Sequence, residues 1–246
     1  MSEPTISIVL PVRNQASSVA PAIAECMAVA GRYCDDYEII LVNDGSSDHT
    51  RDQVDHLAAA YAPVMVLHQP QHRGYAAALR MAWQAARGDY ILAVSIAGPT
   101  SIAELPRLLA ARGECAVVVG YRAPAPRSPL AVAYAAAVRA VIGSDMHDPA
   151  LRLALFRSDM VGFLPDKVPD GLAHPEIYAR ARRAGLPVAQ VAVAGRRGRD
   201  SRAGADMIDL VSYSPPSVGS RQGALMGALT LAVVGGIWIM RRRRKF

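Results

Sequence analysis

Short runs of apolar residues, separated by helix-like stretches, dominate the first half of this 246-residue sequence. The runs are almost continuously apolar, as burial on both faces of a largely parallel sheet requires. We predict strands at 5–12, 37–42, 64–68, 90–94 and 115–120. Helices are predicted between them at 18–32, 48–61, 74–86 and 102–112. The pattern therefore indicates an α/β fold with a doubly wound, mostly parallel sheet, which binds ligands beyond the carboxyl ends of its strands.

The second half of the sequence has a weaker pattern. It opens with the proline-rich connection "RAPAPRSP" and contains no internal repeat. We predict helices at 130–142 and 174–184, an extended segment at 148–156 and a strand at 186–194. We interpret these elements as the acceptor-side half of the same domain, which thus comprises residues 1–195.

The composition changes after residue 195. Residues 196–223 are rich in Arg, Gly, Pro and Ser, which predicts a basic linker. Residues 224–240 form an uncharged apolar run, about 25 Å long as a helix at about 1.5 Å per residue, enough to cross a thin bilayer. We predict a membrane helix here, with a buried core helix as the alternative, followed by the basic tail "RRRRKF" at 241–246.

The predicted helix would anchor the domain at the cytoplasmic face of a membrane. The N-terminus lacks a basic region and a long apolar run, so export is not expected. A cytoplasmic domain would place the basic tail on the opposite side, against the tendency of basic flanks to stay in the cytoplasm. A helix that lies in the interface, re-enters, or is held by a membrane partner subunit therefore stays open.

Three functional classes are disfavoured by the residues themselves. Cys26, Cys34 and Cys115 show neither a disulfide pattern nor zinc-ligand spacing. The net charge of +6 comes largely from the C-terminal basic runs, which carry no interleaved aromatic residues, so no nucleic-acid partner is expected. A dinucleotide-binding G-x-G-x-x-G does not follow the first strand, where "PVRNQA" stands.

The stretch "EIILVNDGSSDHT" is the most informative motif. A buried strand ends at Asn43 and Asp44, Gly45 permits a tight turn, and Ser47 or Asp48 can cap the next helix. Asp44 would thus stand at the carboxyl edge of the sheet, where a carboxylate can accept hydrogen bonds from a base or ribose. The alternative is a turn-forming role for the same side chain. The segment "LPVRN" follows the first strand in the same way, so two strand ends face one crevice.

These stretches, with "HRGYAAALRMAWQAARGDYIL" and "VVVGYR", resemble glycosyltransferase family 2, and their order and spacing are most similar to its polyprenyl-phosphate (dolichol-phosphate-like) sugar transferases. The resemblance implies a GT-A fold, a nucleotide-diphosphate sugar donor, a polyprenyl-phosphate lipid acceptor, inverting transfer and Mg²⁺ or Mn²⁺. For the nucleotide sugar it implies contacts by Pro11, Val12, Asn14, Asp44, Gly45, Arg73 and Ser95. For the lipid phosphate it implies Arg122, Arg127 and Ser128, and arginine suits this role because its planar fork binds phosphate oxygens at two points. The alternative for Arg122 is a surface ion pair.

The sequence departs from the family where the chemistry is concentrated. The family's metal-binding Asp-x-Asp is replaced by "SIA" at 95–97, so the usual ligands of Mg²⁺ or Mn²⁺ are missing and no metal site is predicted. The family's acid after the first Asn is Gln15, its paired aspartates are Asn43 and Asp44, and its Gly-Phe-Arg reads "RLA" at 152–154. For a metal-free transfer, His72 and Arg73 are the cations best placed to meet the charge of the diphosphate, with Arg122 behind them.

The catalytic residues are not identified by the sequence. Asp148, His174 and Glu176 are the remaining polar candidates on the acceptor side. Two functions therefore stay open. One is a membrane-associated glycosyltransferase. The other is a non-catalytic homologue that binds a nucleotide sugar or acts as a regulatory or structural partner. A nucleotidyltransferase would also need acidic metal ligands.

Overall fold

The computed structural model describes residues 5–96, 98, 100–124 and 129–194. A seven-stranded sheet forms the centre of the molecule. Its strands are β1 (Ile6–Val12), β2 (Tyr37–Asp44), β3 (Val64–Gln69), β4 (Tyr90–Val94), β5 (Val117–Arg122), β6 (Leu153–Arg157) and β7 (Val188–Val193). The helices are α1 (Ala16–Tyr33), α2 (Thr50–Ala60), α3 (Tyr75–Ala85), α4 (Leu105–Ala111), α5 (Pro129–Ile142) and α6 (Ala173–Arg183).

The strand order is β3-β2-β1-β4-β6-β5-β7. β6 runs antiparallel to both of its neighbours, and every other pairing is parallel. Leu153, the first residue of β6, pairs with Val94, the last residue of β4. The segment that precedes β6 therefore lies at the edge of the sheet where the parallel strands end.

Both faces of the sheet are covered, which explains the nearly continuous apolar runs. Ile8 and Leu10 of β1 belong to the cluster packed beneath α1, α2 and α4, whereas Val9 belongs to the cluster beneath α3 and α6. Successive strand residues point to opposite faces, so a strand buried on both sides needs apolar residues at every position. α5 packs against α6 in a third, smaller cluster.

The predicted α/β architecture is confirmed, and the differences lie at element boundaries. β2 continues two residues beyond its predicted end, so Asn43 and Asp44 are still in the strand. The predicted helix at 102–112 is a 3₁₀ turn at Ile102–Glu104 followed by α4, with a proline in the first turn of the helix. The segment predicted as extended at 148–156 becomes a strand only at Leu153. Two further 3₁₀ turns, Ser158–Phe163 and Asp170–Leu172, were not predicted.

Several predictions fall outside the described residues. These are the linker at 196–223, the membrane helix at 224–240, the basic tail at 241–246, and the side chains of Ala97, Arg127 and Ser128. Among the helices that the structure does describe, none combines the length and hydrophobicity needed to cross a bilayer.

Candidate functional site

The loops that follow β1 and β2 are joined by hydrogen bonds at the carboxyl edge of the sheet. Val12 and Asn43 are paired at the ends of these strands. Asn14 has a φ of 51°, a left-handed conformation that asparagine tolerates better than most residues. Its Oδ1 accepts from the backbone N of Ser47 at 2.9 Å, and its backbone N donates to Oγ of Ser46 at 3.1 Å. The structure thus brings the predicted residues Asn14 and Asp44 to the same edge of the sheet.

Asp44 organises the loop before α3. Its carboxylate accepts from Nδ1 of His72 and from the backbone N of Arg73, each at 2.7 Å, and from the backbone N of Gly74 at 3.1 Å. The Asp44 residue is only 5% exposed. Its role as a nucleoside contact stays a prediction, because the carboxylate is already engaged by three protein donors. The basic side chains that this loop presents to solvent are those of His72 and Arg73.

Gly45 must be a glycine for two reasons. Its φ is +60°, and an added Cβ would lie 2.4 Å from the backbone N of His72. The backbones of the turn after β2 and of the loop of His72 are therefore in close contact, with no room for a side chain at position 45. A side chain at position 45 would push the loop away from Asp44.

A second series of hydrogen bonds, which the sequence did not predict, lies at the same edge of the sheet. Asn43 accepts from the backbone N of Ser46 through Oδ1, so its amide Nδ2 faces Nδ1 of His68 at 3.1 Å. An amide nitrogen only donates, which leaves the proton of His68 on Nε2, 2.8 Å from Oδ1 of Asp55. The signal available in the sequence was a histidine near the end of an otherwise apolar strand.

Ser95 lies on a different side of the crevice. It lines a cavity of about 330 Å³ between α1 and the segment after β4, together with Ser18, Glu25, Cys26 and Thr100. Asn14, Asp44 and Arg73 are not among the described residues around this cavity. Burial, together with the nearby Glu25, raises the pKa of the Cys26 thiol to about 12, so this cysteine is unreactive.

The described residues do not fit the divalent metal that the family resemblance implies. Mg²⁺ and Mn²⁺ prefer carboxylate oxygens, and Ser95 offers only a hydroxyl where the family has an acid. Within the part of the chain that the structure describes, no group of three or more His, Cys, Asp or Glu side chains is arranged to hold a metal ion. The carboxylate of Asp44, at the end of β2, is engaged by the loop of His72.

Two residues predicted for different roles are partners on the acceptor side. Nε of Arg122 lies 2.6 Å from Oδ2 of Asp148, and Nη2 lies 3.0 Å from Oδ1. Both residues are buried, with 9% and 4% exposure. Arg122 thus forms an ion pair, as the alternative prediction had it, but a buried one with two contacts. Binding of a lipid phosphate by Arg122 stays a prediction, and so does a catalytic role for Asp148. Either role would require a change in this ion pair or a ligand that shares it.

The other acidic candidate, Glu176, is buried in the first turn of α6. Its Oε2 accepts from Nε of Arg180 at 3.1 Å and lies 4.0 Å from Nη2 of Arg183. The neighbouring His174 is also buried, and its Nε2 lies 2.9 Å from the hydroxyl of Tyr75. Burial, assisted by the charge of Arg152, lowers the pKa of His174 to about 3. His174 is therefore neutral at physiological pH.

Arg152 and Ala154 show what the departure from Gly-Phe-Arg does to the structure. The guanidinium carbon of Arg152 lies 4.5 Å from the ring centroid of Tyr75, at the start of α3. Ala154 is fully buried in β6. The basic side chain is thus placed just before the strand, where it stacks on an aromatic face.

The chain is similar in sequence to known glycosyltransferases. Residues 7–94 match the family model "Glycosyl transferase family 2". A dolichyl-phosphate beta-glucosyltransferase of Trichomonas vaginalis is 33% identical over 133 residues, 50% of this chain and 40% of that protein. An undecaprenyl-phosphate 4-deoxy-4-formamido-L-arabinose transferase of Aeromonas hydrophila is 28% identical over 116 residues, 47% of this chain and 36% of that protein. This chain thus spans well under two thirds of the length of these curated relatives.

The fold is shared with solved structures of low sequence identity. Glucosyl-3-phosphoglycerate synthase of Mycobacterium tuberculosis has a TM-score of 0.64 and 21% identity, with 87% of this chain and 82% of that chain covered. A mannosyltransferase of Pyrobaculum calidifontis, solved with GDP-Man and Mn²⁺, has a TM-score of 0.61 and 18% identity, with 88% and 67% covered. These similarities show a GT-A-like fold with a mostly parallel, mixed sheet. Residues 7–94 therefore match glycosyltransferase family 2, and polyprenyl-phosphate sugar transferases are among the proteins that this chain resembles.

Proposed function

We propose that this protein is a glycosyltransferase that binds a nucleotide-diphosphate sugar and transfers the sugar to a polyprenyl-phosphate lipid. The observation that carries the proposal is the set of hydrogen-bonded loops at the carboxyl edge of β1 and β2. There Asn14 joins the loops after the two strands, and Asp44 orders the loop of His72. Ligands of open α/β sheets bind at this edge.

The acceptor class is supported by the relatives and by the second half of the domain. The names of two relatives specify dolichyl phosphate and undecaprenyl phosphate. Arg122 ends β5 at the same edge of the sheet. Its guanidinium would attract an anionic acceptor, and the acceptor phosphate would either share this guanidinium with Asp148 or displace Asp148 from it. We place the protein at the cytoplasmic face of a membrane, anchored by the apolar segment 224–240.

Helix α5 supports a membrane-facing surface. It follows closely after Arg122, and its only charged residue is Arg139. Val132 is 59% exposed. The other exposed positions on the helix are Pro129, Ala133, Ala136, Arg139 and Ala140. A helix face with so little charge is suited to contact with a bilayer surface.

A fluorophore test addresses this surface in the full chain. The dye is attached to a cysteine introduced at Val132 or, as a control, at Val161, which is also exposed, in a Cys115→Ser background. Vesicles containing a spin-labelled phospholipid should quench the dye at position 132 and spare the dye at position 161. Equal quenching at both positions would remove α5 as the membrane-facing surface.

The transfer reaction is tested with the purified full chain in detergent. UDP-glucose and GDP-mannose are offered with a polyprenyl phosphate, and the glycosylated lipid is sought by mass spectrometry, with an Asp44→Ala variant as the control. Formation of the lipid-linked sugar by the wild type alone would support the proposal. Nucleotide binding without transfer would favour the second candidate, a non-catalytic nucleotide-sugar-binding partner.

That second candidate rests on a specific observation. The carboxylates that a metal-dependent transfer would need are replaced at Ser95 or engaged within the protein at Asp44 and Asp148. A domain of this kind could retain a ligand crevice and act on a partner transferase. The transfer assay separates the two candidates because only the first predicts turnover in the isolated protein.

A further inference from the structure

Four carboxylates near the carboxyl edge of the sheet accept hydrogen bonds from the protein itself. Besides Asp44 and Asp148, Asp48 accepts from the backbone N of Thr50 at 3.0 Å, and Asp170 accepts from the backbone N of Ala76 at 3.0 Å. Each of these groups stabilises a loop or the start of a helix. Their oxygens are therefore poorly suited to gather a divalent cation as well.

Three basic side chains at the same edge are exposed. Arg13 follows β1, and His72 and Arg73 precede α3. Within the described part of the chain, the side chains of Arg13 and Arg73 form no ion pair with an acid. These two arginine side chains thus face solvent without an acidic partner among the described residues, whereas the acidic side chains named above accept hydrogen bonds from the protein.

Asp44 fixes the direction of His72. The His72 side chain is 49% exposed, whereas that of Asp44 is 7% exposed. An ionised carboxylate only accepts hydrogen bonds, so the proton between the two groups sits on Nδ1 of His72. The opposite nitrogen, Nε2, is then left to face a ligand, and an imidazolium held beside a buried carboxylate can donate from it.

We propose that His72 and Arg73 bind the diphosphate of the nucleotide sugar and neutralise its charge, so that donor binding needs no divalent metal. This inference rests on the proposed function, since it assigns the anion-binding part of the same donor site. Asp44 is a positioning residue, because it acts on the ligand through His72 and through the backbone of Arg73 and Gly74.

The transfer step balances without a metal or an added base. An anionic oxygen of the acceptor phosphate forms a bond to the anomeric carbon of the sugar. The bond from that carbon to the diphosphate oxygen breaks, and its electron pair leaves with the nucleoside diphosphate. The guanidinium of Arg73, with the imidazolium form of His72, would stabilise the charge that develops on that oxygen. The acceptor oxygen carries no proton, so none has to be removed.

The test compares the binding of nucleoside diphosphates and nucleosides to the full chain by calorimetry. UDP, GDP, uridine and guanosine are each titrated in excess EDTA, in Mg²⁺ and in Mn²⁺. The expected result is that one diphosphate binds more tightly than its nucleoside in EDTA, and that neither metal raises this ratio. The ratio should fall as salt is added, because charged partners at a surface are screened.

Two variants locate the diphosphate. His72→Gln and Arg73→Ala should each lower diphosphate affinity by about 10- to 100-fold, the range for one charge-assisted hydrogen bond, and leave nucleoside affinity unchanged. His72→Lys, which keeps a cation, should restore part of the loss. His56→Gln on α2 and Arg32→Ala at the end of α1 are exposed matched controls and should bind as the wild type does.

The outcomes separate this inference from the proposed function. If a diphosphate binds more tightly than its nucleoside only in the presence of Mg²⁺ or Mn²⁺, the metal-independent site is wrong and the proposed nucleotide site still stands. Metal-independent binding that His72→Gln and Arg73→Ala do not weaken would overturn the assignment of these residues. A protein that binds no nucleotide under any condition would overturn the proposed function as well.

Discussion

The guanidinium of Arg122 and the carboxylate of Asp148 form a buried pair with two contacts, of 2.6 and 3.0 Å, between the end of β5 and the segment before β6. Such a pair fixes the position of the segment before β6, because burying either charge without the other costs free energy. Its two members are 26 residues apart in sequence. The pair therefore stabilises a contact between two segments that are distant in the sequence.

Removing one member of this pair should be costly. Asp148→Asn removes the carboxylate charge that pairs with the buried Arg122 guanidinium and should lower the free energy of unfolding by about 3–5 kcal/mol. The double variant Arg122→Met/Asp148→Leu should lose much less than the sum of the single losses. Urea unfolding measures all the variants. The exposed pair Arg157 and Asp159 is the control, and breaking it should cost no more than about 1 kcal/mol. Additive losses at Arg122 and Asp148 would show that the two residues are not coupled.

Sequence patterns predicted the sheet and the position of Asp44 because both depend on local order. An apolar strand followed by a turn must place its last residues at the edge of a parallel sheet. The patterns did not predict what Asp44 contacts. His72 is 28 residues further along the chain, and its distance from Asp44 depends on how β2, β3 and α3 pack.

The contacts on the acceptor side also depend on how the elements pack. Arg122 and Asp148 were each identified as polar candidates, but their pairing follows from the reversal of β6, which the apolar pattern did not reveal. His68 was overlooked because a lone histidine in a strand gives no sign of the asparagine and aspartate at its two ring nitrogens. Local signals thus predict elements, whereas contacts between loops require the packed structure.

Asp44 should contribute to stability as well as to ligand binding. Asp44→Ala removes the acceptor for three donors, including two backbone N–H groups, and should lower the free energy of unfolding by about 2–4 kcal/mol. Asp44→Asn keeps one acceptor oxygen and should lose less. Urea unfolding gives the energies, and hydrogen exchange should show faster exchange at the amides of Arg73 and Gly74. Asp52→Asn is the control, because the Asp52 side chain is 79% exposed. Unchanged exchange at Arg73 and Gly74 would mean that Asp44 does not hold this loop.

Restoring the family's acidic motif should create a metal requirement. The double variant Ser95→Asp/Ala97→Asp supplies two carboxylates after β4, where the family's metal ligands stand. We expect Mn²⁺ to bind this variant and to raise its affinity for UDP or GDP by about tenfold or more, whereas the wild type gains nothing. Mn²⁺ binding is measured directly by electron paramagnetic resonance. Ser95→Asn/Ala97→Asn is the neutral control. Tight Mn²⁺ binding to the wild type would show that a metal site already exists.

His174 should make the protein sensitive to acid. Burial, with the nearby charge of Arg152, lowers the pKa of its imidazole from 6.5 to about 3 in the folded protein. Between these values the unfolded chain binds a proton that the folded protein excludes, so the stabilisation is complete above pH 6.5 and is lost progressively as the pH falls towards 3. The loss from pH 7 to pH 5 should be about 2 kcal/mol, at about 1.4 kcal/mol per pH unit below 6.5.

A variant isolates this contribution from that of the carboxylates. His174→Gln cannot titrate and can still accept a hydrogen bond from Tyr75, so its urea midpoint should fall less between pH 7 and pH 5 than that of the wild type. His49→Gln, at a side chain that is 91% exposed, should keep the wild-type slope. Because Tyr75 begins α3, directly after the loop of His72, protonation of His174 should also loosen the proposed donor site. Parallel slopes for the wild type and His174→Gln would show that His174 is already charged in the folded protein or accessible to water.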